Sequence, residues 1–513
     1  SKWVWVISDN RGGRWVFTEG GAWVCSGSSQ RDVVHTVREG DRVTAMETSW
    51  GHKITVSYGG ARVVSAISSD GRCVRYSYDD ENRLVQVDGP DGSRRYEWDD
   101  TLITTVVDAC GNAECINSYD GRGRITSQQA ANGRTVHFRY LPGGVTAASD
   151  ADGTNANTWI CDAHGRTTGV VDAHGGQVSM TYDSFGNMVR CVDRAGNVTS
   201  HRYDQRGRLT HTDLPTGGTI DCSWDDLDRL VSTTLANGAQ TTFEYDGTER
   251  DPVRVTDPCG GVTVAEWKDG LLLRATNPVG VSLRFSYHHH AELVRVEDAH
   301  GEASRLIRDE AGRIVETISP GGATTRFSYD DAGRLAAVVT PDGATWEHRY
   351  DVAGHLIELV APDSGVTKWE YHPDGQISRV IDPLGRVIEH SYDHLGNLAG
   401  MQLPDGSAWS FIHDALSRLT QVVAPDEARW TYAYDVDGNL SGVTDPAGFA
   451  RPGSLLTVSL PAPPRIVTGT NSTASMPIPT VLLLPSPMSL APSRSSRVIC
   501  VADRLSFRTS LAR

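Results

Sequence analysis

Polar and apolar positions alternate in short runs along this chain, and the runs recur. Thr325, Phe327 and Tyr329 share one face of an extended segment, while Arg326 and Ser328 take the other. Thr367, Trp369 and Tyr371 are opposed in the same way by Lys368 and Glu370. Alternation with a period of two predicts half-buried β-strands. Phe138/Tyr140, Phe243/Tyr245, Phe285/Tyr287 and Tyr432/Tyr434 repeat the pattern, so aromatic side chains are expected to stack at matching heights. Between the strands lie turn signals. After Gly333 comes a β-prone run, Arg334 to Thr340, then Pro341-Asp342-Gly343, then a second run from Ala344 to Tyr350. This reads as a hairpin with a turn at each end.

The hairpin recurs at a 21-residue step. From Tyr119 the step reaches Tyr140, Cys161, Tyr182, Tyr203, Trp224, Tyr245, Glu266, Tyr287, Arg308, Tyr329, Tyr350, Tyr371, Tyr392, His413 and Tyr434 without insertion. Asp usually follows the aromatic, Gly stands four positions after it, then Arg or Asn, then Leu or Ile, as in Tyr203-Asp-Gln-Arg-Gly-Arg-Leu209. In Asp-x-x-Gly, Asp accepts bonds from the amides ahead of it and Gly enters the left-handed region without a Cβ clash, which predicts a type I turn closed by a residue at positive φ. Two strands of about six residues and two turns fill the step, leaving no room for a helix of ordinary length. Each hairpin must then pair with its neighbours in one long antiparallel sheet. A residue that recurs in every unit is structural, and Tyr, Asp and Gly are read that way.

Residues 58–450 therefore form one repeat array, with residues 1–57 as degenerate copies around Arg11-Gly12-Gly13-Arg14-Trp15 and Gly40-Asp41-Arg42-Val43. Residues 451–513 change character: nine prolines, seven arginines, one acidic residue (Asp503), and no Tyr or Trp. They are expected to form a disordered tail, with translation out of frame as one origin. The chain opens at Ser1 with neither Met nor a signal sequence, which reads as a fragment.

The unit Tyr-Asp-x-x-Gly-Arg-Leu, with Asp382-Pro383-Leu384-Gly385, Pro404-Asp405-Gly406 or Asp445-Pro446-Ala447-Gly448 in the second turn, resembles the YD repeat of bacterial Rhs and wall-associated proteins and the YD shell of teneurins. The resemblance covers roughly Tyr58 to Gly448. It implies an all-β fold in which tandem hairpins spiral into a hollow shell, here a partial one. It also implies a secreted or cell-surface protein used in bacterial competition, whose shell encloses a C-terminal toxin cargo. An alternative role is a repeat module that binds cell-surface carbohydrate. Rhs proteins close the shell with a core containing paired Asp-Pro motifs around a self-cleavage site. Asp445-Pro446 matches only an ordinary repeat turn, so neither autoproteolysis nor toxicity carries over.

Charge narrows the partners. A formal net charge of −16 argues against nucleic acid, which requires a basic surface, though an acidic wall could attract a basic cargo. Lysine is confined to Lys2, Lys53, Lys268 and Lys368, and arginines 124, 166, 208, 229, 313 and 334 occupy the turn slot, read as a solvated, turn-bridging set. Cys25, Cys73, Cys110, Cys115, Cys161, Cys191, Cys222, Cys259 and Cys500 are scattered and odd in number, so no disulfide framework follows. No run of about 18 apolar residues predicts a membrane span.

No constellation of catalytic residues emerges. His288-His289-His290 would send adjacent side chains to opposite faces of a strand, too few on either for a metal, and reads as a polar run beside a turn. The Asp-Ala-His-Gly segments at 162–165, 172–175 and 298–301 are turns, and Asp225/Asp226 and Asp330/Asp331 recur with the hairpin. Asn197-Val198-Thr199 fits a glycosylation acceptor that chance also produces. The expectation is no enzyme, no catalytic, cofactor-binding or metal-binding residue, and no cofactor.

Overall fold

A computed structural model describes residues 4–8, 13–27, 33–90 and 92–452. The expected disordered tail lies outside the described residues except for Arg451 and Pro452. Among the described residues there are 44 strands, all in one sheet, and no helix. Each strand pairs antiparallel with the next one along the chain.

One repeat shows why. Strand Thr324–Tyr329 pairs with Leu335–Val339, which pairs with Thr345–Tyr350. Gly333 N–H donates to the Asp330 carbonyl and Asp330 N–H to the Arg334 carbonyl, each at 2.9 Å. The other end is built alike: Gly343 N–H donates to Thr340 O and Thr340 N–H to Ala344 O, again at 2.9 Å. Each is a type I turn followed by a left-handed residue, the three-residue hairpin loop. Gly207, Gly333 and Gly396 carry φ of 73°, 83° and 85°, as the turn requires.

The faces fall as the alternation predicts. Phe327 and Tyr329 are half-buried, whereas Arg326 and Ser328 are exposed. The most enclosed position, however, is an aliphatic residue on the return strand. Val338 stands between Phe327 and Trp346, and Val422 between Phe411 and Trp430, with 4% and 1% of their surfaces exposed. Met401 is held likewise between His390 and Trp409. Contact within one layer, side chain against cross-strand neighbour, supplies the core.

The unbroken step needs one correction. The aromatic slot expected at Glu266 is filled by Trp267. Here the hairpin closes Lys268 on Leu271 through two residues, Asp269 and Gly270, at φ 47° and 73°. A two-residue loop with both residues left-handed replaces the three-residue loop, and the spare residue lengthens the strand and moves the ring on by one.

The sheet also returns upon itself. His290 Nδ1 lies 2.6 Å from the carbonyl of Trp50, 240 positions earlier, and His394 Nε2 lies 3.2 Å from Asn155 Nδ2, 239 positions earlier. His174 and Asp414 meet at 3.5 Å. In each case a tip of the second-turn type in the first winding meets a Tyr-Asp tip in the next. The ribbon is thus a spiral, with successive windings touching along a seam of loop tips.

Left-handed slots filled by residues other than Gly give a direct test. Glu427 stands at φ 66° in a loop otherwise like those closed by glycine. Replacing it with Gly should stabilise that hairpin by about 1 kcal/mol, less the extra freedom Gly gives the unfolded chain. Hydrogen exchange of the Ala424–Ala428 loop should slow; unchanged or faster exchange would contradict the turn geometry.

Candidate functional site

The recurring polar cluster sits between repeats. The return strand Leu335–Val339 meets the next strand only through Ala337–Glu347, Val338–Trp346 and Val339–Thr345. Leu335 is left beyond the ladder, its carbonyl facing the gap. The Tyr350 hydroxyl donates to that oxygen at 3.0 Å. Tyr58 to Val43, Tyr203 to Met188, Tyr329 to Ile314 and Tyr434 to Leu419 repeat the bond at 2.7 to 2.9 Å. A buried carbonyl without a partner would be costly, so the phenol completes the backbone hydrogen bonding.

Departures from tyrosine support this account. Trp224 and Trp267 donate indole N–H to Leu209 O and Pro252 O at 2.8 and 3.1 Å, and Arg308 reaches Leu293 O with Nε at 3.3 Å. At Cys161 no side chain can reach. There the backbone closes instead: Cys161 N–H donates to Gly144 O at 3.0 Å. A Cβ on Gly144 would stand 2.4 Å from the Cys161 carbonyl, so the close approach requires glycine. His413 is too short for the bond, and its buried Nδ1 has no partner.

The turn arginine ties three groups together. Arg334 Nε lies 2.8 Å from Asp330 Oδ2 in its own turn, its guanidinium stacks 4.9 Å from the Tyr350 ring centre, and Nη1 donates to Asp351 O at 2.8 Å. Arg208 repeats the arrangement with Asp204, Trp224 and Asp225, and Arg166 with Asp162, Tyr182 and Asp183. The set expected to be solvated is turn-bridging and divided in exposure: the side chains of Arg229, Arg208 and Arg334 are 11%, 13% and 25% exposed, whereas those of Arg166, Arg313 and Arg124 keep 30%, 37% and 41%. A planar guanidinium can pair and stack at once, which explains why Arg rather than Lys holds the slot.

Protonation states fit these roles. Burial would raise the Asp330 carboxyl, but hydrogen bonds from the Arg334 amide and guanidinium hold it below the usual range. Burial pushes the Tyr350 phenol up, and that of Tyr245 to about 12, so both keep the proton they donate. The cluster is a clamp between repeats. Its carboxylates are occupied, and its bonds are already made.

The other candidates take their places. His288, His289 and His290 belong to a turn rather than a strand, with Ala291 N–H bonded to His288 O. Strand alternation therefore does not apply, and the rings crowd together at centroid distances of 3.7 and 3.9 Å. Among the described residues, no group of three or more His, Cys, Asp or Glu side chains is placed so that it could hold a metal ion. Asp226 and Asp331 are exposed at turn tips, and His174 joins the seam. Asn197 Nδ2 donates to Asp193 Oδ2 at 2.9 Å, a turn contact.

Family comparisons agree with this architecture. Residues 145–346 match the Teneurin YD-shell profile, and residues 60–94, 329–367, 350–387, 371–408 and 413–450 match RHS Repeat. No curated protein sequence matches. A crystal structure of TcdB2-TccC3 is similar in fold, with a TM-score of 0.53 at 14% identity, covering 85% of this chain and 31% of that one. A Photorhabdus luminescens Tc holotoxin pore with a TccC3 mutation matches at 15% identity and a TM-score of 0.49, over 82% of this chain and 26% of that chain. This chain thus spans less than a third of either solved chain.

Tyr350→Phe keeps the ring and removes the donor, leaving Leu335 O unpaired; the local loss should be about 1 kcal/mol. Faster exchange confined to residues 335–351 would show it, and exchange equal to that of the parent would contradict the clamp. Acid gives a second test. The Arg124 guanidinium and amide hold the Asp120 carboxyl at about 2, against an ordinary 3.8. With the folded value depressed, its stabilisation is present above 3.8 and is lost as pH falls toward 2. Titration of Asp120 followed by NMR should give a midpoint near 2; a midpoint near 3.8 would mean the pair does not form.

Proposed function

We propose that this chain, a member of the RHS/YD-repeat family, is a structural, non-catalytic part of the wall of an encapsulating shell. Its cargo would be a C-terminal toxin, carried by a secreted or cell-surface protein in competition between bacteria. The observation that carries the reading is a single sheet wound so that tips about 240 positions apart meet. A continuous ribbon closed on itself along a seam encloses space without needing a core of its own. No helix among the described residues is long and apolar enough to cross a membrane. In this reading residues 1–57 are degenerate repeats, 58–450 the array, and 451–513 a separate tail.

Phe185 supports a second reading. It stands at a turn tip, 90% exposed, flanked by Asp183 and Asn187. A ring presented beside polar groups suits a sugar face, so a carbohydrate-binding module remains the alternative. Protease protection separates the two. In the product of the intact gene, a segment C-terminal to the repeats should resist protease until the array is unfolded. Cleavage at the same rate before and after unfolding would defeat the shell reading. Retention on cell-wall glycans that is abolished by Phe185→Ala would favour the alternative.

A further inference from the structure

Four arginines crowd the solvent-facing side of the sheet on four consecutive strands, Leu271–Thr276, Ser282–Tyr287, Leu293–Asp298 and Ala303–Arg308. Arg274 stands directly opposite Arg284, and Arg295 directly opposite Arg305. Like charges that face each other across a ladder destabilise the pairing. Farther along the same side the facing charges are opposite in sign, where Glu358 meets Lys368 and Arg379 meets Glu370 and Glu389. Neighbouring carboxylates neutralise only half of the strip. Arg274 Nη1 lies 3.5 Å from Glu266, and Arg295 is paired with Glu297 of its own strand, which takes the carboxylate that faces Arg284. Arg284 and Arg305 are exposed, and among the described residues neither forms an ion pair.

We propose that this strip is the docking surface for an extended acidic segment of a partner protein, one with Asp or Glu at alternate positions. Arg284 faces Glu297 while Arg295 faces Ser286, so the two arginine pairs are offset by two residues. The diagonal from Arg284 to Arg295 is then about 7–8 Å, and the strip from Arg274 to Arg305 about 16 Å long. Carboxylates at every second position of an extended chain recur about every 7 Å, so three of them span the strip. Each guanidinium fork can take a carboxylate through two parallel N–H bonds. The surroundings limit the partner's footprint. Glu266 borders the strip on one side and Glu316 on the other, and the chain as a whole carries −16. A long polyanion or an anionic membrane reaching past these strands would meet like charge. Thr276, Ser282, Ser286 and Ala303 fill the spaces between the arginines, leaving no ring on which a nucleobase could stack.

Fluorescence anisotropy of a labelled peptide of alternating Glu and Thr, titrated with the full chain, tests this; the same peptide with Gln for Glu is the control. At low salt the Glu peptide should bind at least about tenfold more tightly than the Gln peptide, and its affinity should fall at least about tenfold at about 0.5 M salt. Arg284→Gln with Arg305→Gln removes the two unpaired charges and leaves both ion pairs of the strip in place. It should lower the affinity at least about tenfold while the melting temperature stays level or rises, because two like-charge contacts are relieved. Arg326→Gln, beside the strip and paired with Glu316, should leave the affinity unchanged. No preference for the Glu peptide, or an affinity that the double variant retains, would overturn the proposal. A comparable loss with Arg326→Gln would reveal general charge attraction and overturn it too, as would polyphosphate or phosphatidylglycerol vesicles binding through Arg284 and Arg305 where the peptide does not. The peptide comparison and the salt dependence on the unaltered chain decide the matter even where a variant does not fold.

Discussion

The hydrogen bond from a slot aromatic to a carbonyl 15 positions earlier, or 16 at Tyr119, is what the rest of the wall depends on. Backbone pairing between one hairpin and the next stops after three residue pairs, as at Ala337, Val338 and Val339. A sheet that simply continued flat would pair further. Instead the Tyr350 ring is inserted where the ladder ends, its hydroxyl replacing the missing backbone donor. Arg334 covers the ring and reaches the next turn, so both the gap and its polar edge are satisfied by side chains. The rule becomes visible where it is broken: with cysteine at 161, the strands close directly and glycine is needed at 144.

From that interaction follows the shape. Neighbouring strands in a ladder lie about 4.8 Å apart. A ring seated between hairpins at the Tyr-Asp end, with backbone pairing kept at the other end, makes each unit a wedge. A wedge repeated with the same hand turns a sheet into a coil, as strand twist does on its own. After 240 positions the accumulated rotation brings His290 over Trp50. The long edges that a flat array would leave along its loop tips are then partly covered by the molecule's own next winding.

How far the sequence discloses this depends on range. The strands, the faces of Phe327 and Arg326, and the left-handed glycines are local, set by alternation and turn chemistry, and each is visible in a single repeat. The step lands on Glu266 while the ring stands at Trp267, because a two-residue loop and a three-residue loop can occupy the same 21-residue step and the period alone does not distinguish them. Arginine in the turn slot was readable as bridging. Its enclosure was not, because the ring that covers it belongs to the following repeat. The seam lay beyond reach altogether: it depends on curvature summed over a whole winding, and nothing near His290 points to Trp50.

A ribbon whose units touch only their neighbours gains stability nearly one interface at a time. Losing one clamp then weakens two adjacent hairpins and leaves distant ones intact, which suits a wall that tolerates Trp, Arg, His or Cys in the slot. The seam changes this behaviour. Where His174 meets Asp414, a hairpin is coupled to another 240 positions away, and opening either exposes the other. Conditions that weaken the clamps should therefore act locally along the ribbon. Conditions that act on the seam alter how windings sit on one another while the hairpins stay folded. The interaction that holds the ribbon together and the one that holds its windings together are therefore separate, the first repeated between hairpins and the second confined to loop tips about 240 positions apart.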